Sequence, residues 1–225
     1  MEVGWVGERE SLPFKGAKLG VLLNHTSLLE PIYIGLLPVG LLWEIAKKGI
    51  FPGADITMQH PIVGRLYRFV VFNAVSISRR WDETWKSFLE NICSDSIILI
   101  AAEGRMKRPN GLDKHGNPMT VRGGIADVLN RVENGKMILV YSGGLHHVLS
   151  PGQKFPRLFK RIKVNMEVLE IAEYKKELGF SENSRGFRLA IVRDLENRRD
   201  QYCPGLVRGD EMSDSKPHAQ AQCVN

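Results

Sequence analysis

The feature that most constrains the fold of this chain is a short, unbroken run of mostly apolar residues at positions 96–102, with the sequence SIILIAA. A run of this length, bounded by polar and turn-forming residues, is typical of a strand that is buried on both faces. Such strands belong to sheets that helices cover on both sides. We therefore expect an α/β protein, and 225 residues are enough for one full hydrophobic core.

The rest of the chain alternates between apolar runs and segments with helical periodicity. The predicted strands are residues 19–23, 41–46, 74–78, 137–142 and 161–168, the last half-exposed and near a sheet edge. The predicted helices are residues 27–37, 61–71, 83–93, 124–132 and 184–202. This order predicts a single domain over residues 1–203, with a mixed, mostly parallel central sheet flanked by helices. The polar composition of residues 204–225 predicts a disordered tail.

The charge balance indicates an anionic partner. The chain has a formal net charge of +6, which suits a phosphate-bearing substrate, an acidic lipid surface or a nucleic acid. An ordinary solvated basic surface is the alternative. We expect no nucleic acid, because the chain lacks the aromatic and basic motif of any known nucleic-acid reader.

Cysteine usage and hydropathy predict where the chain resides. Three cysteines without CxxC spacing disfavour a disulfide framework or a zinc site and favour a reducing cytoplasm. No leader peptide is expected in the first twenty residues. The most apolar stretch, residues 32–45, is interrupted by Pro38 and Gly40 and is shorter than the ~20 residues of a spanning helix. We expect a cytoplasmic protein that lies on a membrane surface.

A candidate catalytic pair lies at residues 24–31, NHTSLLEP, where a predicted strand ends. His25 can accept a proton from a hydroxyl, and Glu30 can orient the imidazole ring. The two residues are about 140° apart around a regular helix, so they can pair only if His25 precedes the first turn. The alternative is a capping box, in which Ser27 and Glu30 bind backbone N–H groups at the helix start. That interpretation leaves His25 without a role.

Two further strand ends carry arginine. Residues 101–105 have the sequence AAEGR, in which Gly104 permits close approach of a ligand to the backbone and Arg105 offers a fork for phosphate. Residues 76–80, SISRR, bring Arg79 to the end of another extended segment. Two such ends indicate one anion-binding pocket. The alternative is a basic surface loop in which Glu103 and Arg105 form an ion pair.

Four segments in this order, NHTSLLEP, NAVSISR, AAEGR and MILVYSGG, resemble the lysophospholipid and glycerol-phosphate acyltransferase family. The first block of that family is NHxSxxD, and here Glu30 replaces the aspartate. The second block ends in an acid and an arginine, where this chain has Ser78 and Arg79. The third is Glu-Gly-Thr-Arg, and this chain lacks the threonine. The resemblance covers roughly residues 5–170.

The resemblance implies an α/β O-acyltransferase with His25 as general base and Glu30 as its orienting acid. It implies a lysophosphatidate-like acceptor with a phosphate, an acyl-CoA or acyl carrier protein donor, no cofactor and no metal. The substrate-binding residues it implies are Asn24, Ser27, Arg79, Glu103, Gly104 and Arg105. A backbone N–H near Gly104 or Gly143 would bind the oxyanion.

The departures from the family pattern fall on the acceptor side, so other acceptors stay open. Glycerol 3-phosphate is one alternative acceptor, and a catalytically silent lipid-binding protein is the non-enzyme alternative. The family's amino-terminal membrane helices have no counterpart here, which implies peripheral attachment. The apolar residues 32–39 and the basic and aromatic residues 154–163 are expected to face the lipid. The pair His146 and His147 is not expected to bind metal, because adjacent residues of an extended chain point to opposite faces.

Overall fold

The protein is described from a computed structural model, which covers residues 1–8, 11–54, 74–78, 82–150, 153 and 155–205. Within these residues, one seven-stranded sheet has the order β1-β7-β6-β2-β5-β3-β4. Strands β6 and β7 are antiparallel, and every other neighbouring pair is parallel. The predicted mixed, mostly parallel sheet is confirmed. The strands are β1 (Glu2–Trp5), β2 (Ala17–Leu23), β3 (Gly49–Ala54), β4 (Ala74–Ile77), β5 (Ile97–Ala101), β6 (Lys136–Ser142) and β7 (Lys163–Glu170).

Helices pack on both faces of this sheet. The larger core lies on one face, where β2 packs against helical side chains such as Phe88, Val128 and Ile191. On the opposite face, Leu41 and Ile45 of the first helix pack on the sheet. The helices are α1 (Val39–Lys48), α2 (Glu83–Glu90), α3 (Gly124–Arg131), α4 (Ile171–Glu177) and α5 (Arg185–Tyr202), with a 3₁₀ helix at Glu30–Leu36.

Most predicted elements are confirmed, and the strand predicted at residues 41–46 is wrong. That segment belongs to helix α1, where Leu41 and Ile45 are buried one turn apart while Trp43 is exposed. A short apolar run does not by itself distinguish a strand from a helix. Strands β1 and β3 and helix α4 were not predicted. The helix predicted at residues 61–71 and nearly all of the predicted tail, residues 206–225, lie outside the described residues.

The order of the central strands determines where the polar segments meet. Strand β2 lies between β5 and β6, and all three are parallel. Their carboxyl ends therefore open on the same edge of the sheet, which is where ligands bind in open α/β sheets. The edge carries the segment after Leu23, the segment after Ala101 and the segment after Ser142. The 3₁₀ helix follows the first of these segments.

Candidate active site

Asn24 is the residue that turns the chain away from the sheet. It has a left-handed backbone, with φ of 63°, a conformation that asparagine tolerates better than most residues. Its side-chain Nδ2 donates to the carbonyl oxygen of Ser142 at 2.8 Å. This hydrogen bond ties the end of β2 to the end of β6. Asn24 is buried and acts as a turn residue, and its substrate-binding role stays a prediction.

The turn brings His25 and Glu30 together. His25 Nδ1 is hydrogen-bonded to Glu30 Oε2, and because a carboxylate only accepts, the proton belongs on Nδ1. The other carboxylate oxygen, Oε1, accepts from the N–H of Thr26 and from the N–H of Ser27 at 3.1 Å. One oxygen of Glu30 therefore serves the catalytic interpretation, and the other binds N–H groups of the preceding turn. The predicted capping box is not formed at the helix itself, because Leu29 is the N-cap of the 3₁₀ helix and no side chain caps it. The Glu30 side chain is 2% exposed and that of His25 is 21% exposed.

Hydrogen bonds to the segment after β5 fix the backbone of His25. Glu103 Oε2 accepts from the His25 N–H at 2.8 Å, and the Lys107 N–H donates to the His25 carbonyl at 2.7 Å. Glu103 Oε1 accepts from Arg199 Nη1 of helix α5 at 3.1 Å. The alternative ion pair between Glu103 and Arg105 is therefore wrong. Glu103 links the closing helix to the histidine loop, and Arg199 had no signal in the sequence.

Arg105 is paired with a carboxylate that sequence reasoning missed. Its Nη1 donates to Asp113 Oδ2, while Asp113 Oδ1 accepts from the N–H groups of His115 at 2.7 Å and Asn117 at 2.9 Å. The backbone hydrogen bond from Asn117, helped by Arg105, holds the pKa of Asp113 well below its usual range. Asp113 is therefore a charged anchor that fixes the guanidinium. An aspartate before glycine and asparagine in a polar loop is a turn signal that could have located it.

Hydrogen bonds from the residues after His25 reach the loop after β6. Ser27 Oγ donates to the carbonyl of Leu149 at 2.9 Å, and the Leu145 N–H donates to Thr26 Oγ1 at 2.8 Å. These bonds join the histidine loop to the 145–149 segment. Ser27 is buried, and its hydroxyl serves this connection.

A cavity of about 720 Å³ opens beside the pair, and His25 and Glu30 both line it. That volume is in the range of small-molecule sites. Much of its lining is apolar, and includes residues of the 3₁₀ helix and α1 together with Leu99 and Val140 of the sheet. Asp127, which pairs with Arg188, lines it as well. The basic side chains in the lining are those of Arg105, Arg108, Lys114, Arg122 and Arg188.

The remaining residues predicted for the site are Gly104, Gly143 and Arg79. Gly104 lines the cavity with φ of 62°, a left-handed backbone that favours glycine. The Gly104 N–H donates to Ala101 and the Gly143 N–H to Lys163, each at 3.0 Å, so these two groups are already used and do not supply the oxyanion donor. Arg79 lies outside the described residues, and its role stays a prediction.

The two adjacent histidines contact different carbonyls. His146 Nε2 is bonded to the Lys107 carbonyl at 2.7 Å, and His147 Nε2 to the Arg161 carbonyl at 2.5 Å. They anchor separate segments of chain. Among the described residues, no helix combines the length and the hydropathy needed to cross a bilayer.

Comparison with known proteins finds likenesses among solved structures. No protein-family model and no curated protein matches this chain. Among solved structures, the chain is similar to the 1-acyl-sn-glycerophosphate (LPA) acyltransferase PlsC from Thermotoga maritima, with a TM-score of 0.47 and 16% sequence identity. The similarity covers 87% of this chain and 72% of that chain.

Proposed function

We propose that this protein is an O-acyltransferase that moves a fatty acyl group from a thioester, acyl-CoA or acyl carrier protein, to the free hydroxyl of a lysophosphatidate-like acceptor. The observation that carries the proposal is the His25–Glu30 pair in the wall of a cavity whose lining combines many apolar side chains with several basic ones. A base in a cavity that can bind both a hydrocarbon chain and a phosphate suits acyl transfer beside a phosphate.

The proposed reaction is direct transfer with no acyl-enzyme. The acceptor hydroxyl gives its proton to His25 Nε2 as its oxygen attacks the thioester carbonyl carbon, and the C–S bond then breaks. The proton on imidazolium passes to the departing sulfur, so the products are an ester and a thiol. Glu30, through Oε2, keeps Nδ1 protonated and stabilises the imidazolium. The reaction as written needs no metal and no redox cofactor.

The basic side chains of the cavity lining would hold the acceptor phosphate. Arg105 is fixed by Asp113 and lines the cavity. A single guanidinium group can bind two phosphate oxygens through two parallel hydrogen bonds. Arg79 is proposed as its partner, from its place in the sequence. Arg108, Lys114 and Arg122 extend the positive surface. The apolar residues of the lining would contact the acyl chain.

We also propose that the reaction takes place on the cytoplasmic surface of a membrane, with the protein attached peripherally. The acceptor is a lipid, so a bilayer is where it would be met. The exposed residues include several large apolar side chains beside basic ones. A surface of that composition binds acidic lipid through apolar contact and charge together.

The test is to incubate the purified chain with a long-chain acyl-CoA and a panel of acceptors, and to identify products by mass. The panel contains lysophosphatidate, other lyso-lipids and glycerol 3-phosphate, with His25→Ala as the control. Diacyl product from lysophosphatidate, absent with His25→Ala, is the expected result. If glycerol 3-phosphate were the one acceptor in the panel to yield product, it would be identified as the acceptor in place of lysophosphatidate. Lipid binding without any product would instead favour the catalytically silent lipid-binding protein.

A further inference from the structure

The segment of residues 155–161 projects large apolar side chains into solvent. Phe155 is 81% exposed, Leu158 is 70% exposed and Phe159 is 102% exposed. Single exposed apolar residues are ordinary on protein surfaces, but three of this size within five positions form a patch. Such a patch marks a contact with a partner or a membrane.

The backbone of this segment holds the patch outward. Phe159 has φ of 58°, a left-handed conformation that is costly for a bulky side chain. Two hydrogen bonds also fasten the segment, one at Arg157 within the patch and one at Arg161 after it. The Arg157 N–H donates to the Val148 carbonyl at 2.7 Å, and the Arg161 carbonyl bonds to His147 Nε2 at 2.5 Å. Backbone strain that the surrounding structure maintains is a feature of functional sites.

The charges in the segment have one sign. Arg157, Lys160 and Arg161 alternate with the apolar residues, and all three are exposed. No aspartate or glutamate occurs between residues 134 and 166. Within the part of the chain that the structure describes, none of these three cations pairs with a carboxylate. The patch is therefore complementary to an apolar layer that lies beneath negative charge.

The base of the segment is joined to the candidate active site. Val148 packs in a small core with Tyr33 of the 3₁₀ helix that follows His25. Ser27 Oγ donates to the carbonyl of Leu149 at 2.9 Å. On the same stretch of chain, the side chains of Leu28 and Ile32 are partly exposed. A surface bound through residues 155–161 would therefore lie near the histidine loop.

We propose that residues 155–161 are the surface by which this protein docks on an anionic bilayer. Phe155, Leu158 and Phe159 enter the boundary between head groups and acyl chains, and the three basic residues contact lipid phosphates. A lipid surface fits better than a protein, because side chains as exposed as Phe155, Leu158 and Phe159 suit a fluid surface, whereas a protein interface needs complementary shape. The proposal deepens the function above by naming the face that meets the lipid.

The experiment measures sedimentation with vesicles of phosphatidylcholine alone or mixed with phosphatidylglycerol, at low and high salt. The wild type should bind the mixed vesicles and be released as salt rises. Replacing Phe155 and Phe159 with serine should weaken binding at least tenfold for each ring. Reversing the charge of Arg157, Lys160 and Arg161 should weaken it by about fivefold or more per residue and remove the salt dependence.

Matched control changes lie on the exposed face of helix α5. Leu189→Ser controls for the apolar change, and Arg185→Glu with Arg193→Glu controls for the charge change. These variants should bind as the wild type does. Turnover with short-chain substrates below their micelle concentration should be equal in the wild type and the patch variants. Vesicle binding needs no turnover, so failure of the proposed reaction would leave the docking result readable.

Four results would overturn the proposal. One is a wild-type chain that ignores both kinds of vesicle. The second is a pair of patch variants that bind as the wild type does. A third is loss of turnover on soluble substrates in the patch variants, which would place the segment in the substrate site. The fourth is a wild-type dimer in solution that Phe155→Ser with Phe159→Ser dissociates, which would make a second copy the partner.

Discussion

The carboxylates of Glu30 and Asp113 have the same arrangement of hydrogen bonds but hold different side chains. Glu30 uses one oxygen to accept from the N–H groups of Thr26 and Ser27 and the other to hold His25. Asp113 uses one oxygen to accept from two backbone N–H groups of its own turn and the other to hold Arg105. Both side chains are buried. In each case a local turn fixes a carboxylate, which in turn fixes a functional side chain.

The difference lies in what each carboxylate holds. Histidine can gain or lose a proton near neutral pH, so Glu30 orients a group that can act in chemistry. Arginine keeps its charge at any ordinary pH, so Asp113 orients a permanent cation. In the proposed function, Glu30 and His25 determine kcat, whereas Asp113 and Arg105 determine the KM for the acceptor. Variants of the four residues test this division of roles.

The largest effect is expected for His25→Ala. Loss of a positioned general base lowers kcat by roughly 10² to 10⁴-fold, while folding is kept because the side chain is at the surface of the cavity. Product formation from acyl-CoA and lysophosphatidate measures it, with thermal unfolding as the folding control. Near-normal turnover would show that His25 is not the base.

A smaller fall in kcat is expected for Glu30→Gln. The glutamine carbonyl can replace Oε1 as acceptor from the backbone, but its amide then donates to His25 Nδ1 and moves the ring proton to Nε2. That tautomer cannot accept the acceptor proton, so only the minority of imidazole rings that keep their proton on Nδ1 still acts as a base. Part of the rate therefore remains, unlike in His25→Ala. Steady-state kinetics and unfolding are measured together. Reduced stability with unchanged turnover would support the capping role alone.

Arg105→Ala should raise the KM for the acceptor, with less change in the KM for the acyl donor. A hydrogen bond to a charged group contributes about 1.5–3 kcal/mol, which corresponds to roughly 10- to 150-fold. The matched variant Arg79→Ala should act in the same direction. If only the donor KM changed, Arg105 and Arg79 would be assigned to the wrong substrate.

Asp113→Asn should give the smallest kinetic effect, a rise in acceptor KM below that of Arg105→Ala, because the guanidinium remains but is less well held. The stability effect depends on pH. The folded pKa of Asp113 is depressed from its ordinary value of 3.8, so its contribution is present above that value and lost as pH falls through the lower folded pKa. Wild type and variant should therefore differ in unfolding free energy near neutral pH and converge in acid. A difference that does not change with pH would exclude a charged anchor.

The sequence predicted the site best where partners are close along the chain. His25 and Glu30 are five residues apart, and a turn before the first helical residues is enough to join them. Arg105 and Asp113 are eight apart across a loop whose geometry no periodicity describes, so the residue that holds Arg105 was missed. Glu103 and Arg199 are 96 residues apart. Their contact requires helix α5 to pack on the sheet.

The sequence by itself determined the α/β class, the buried strands β2, β5 and β6, and the polar residues at their ends, because burial on a sheet imposes a readable pattern of apolar residues. Only the tertiary structure decided that β2 lies between β5 and β6, since strand order depends on packing between distant segments. It also decided that residues 41–46 form a helix, because the same apolar run can bury either element. The cavity beside His25 exists only once those strands and helix α1 are packed together.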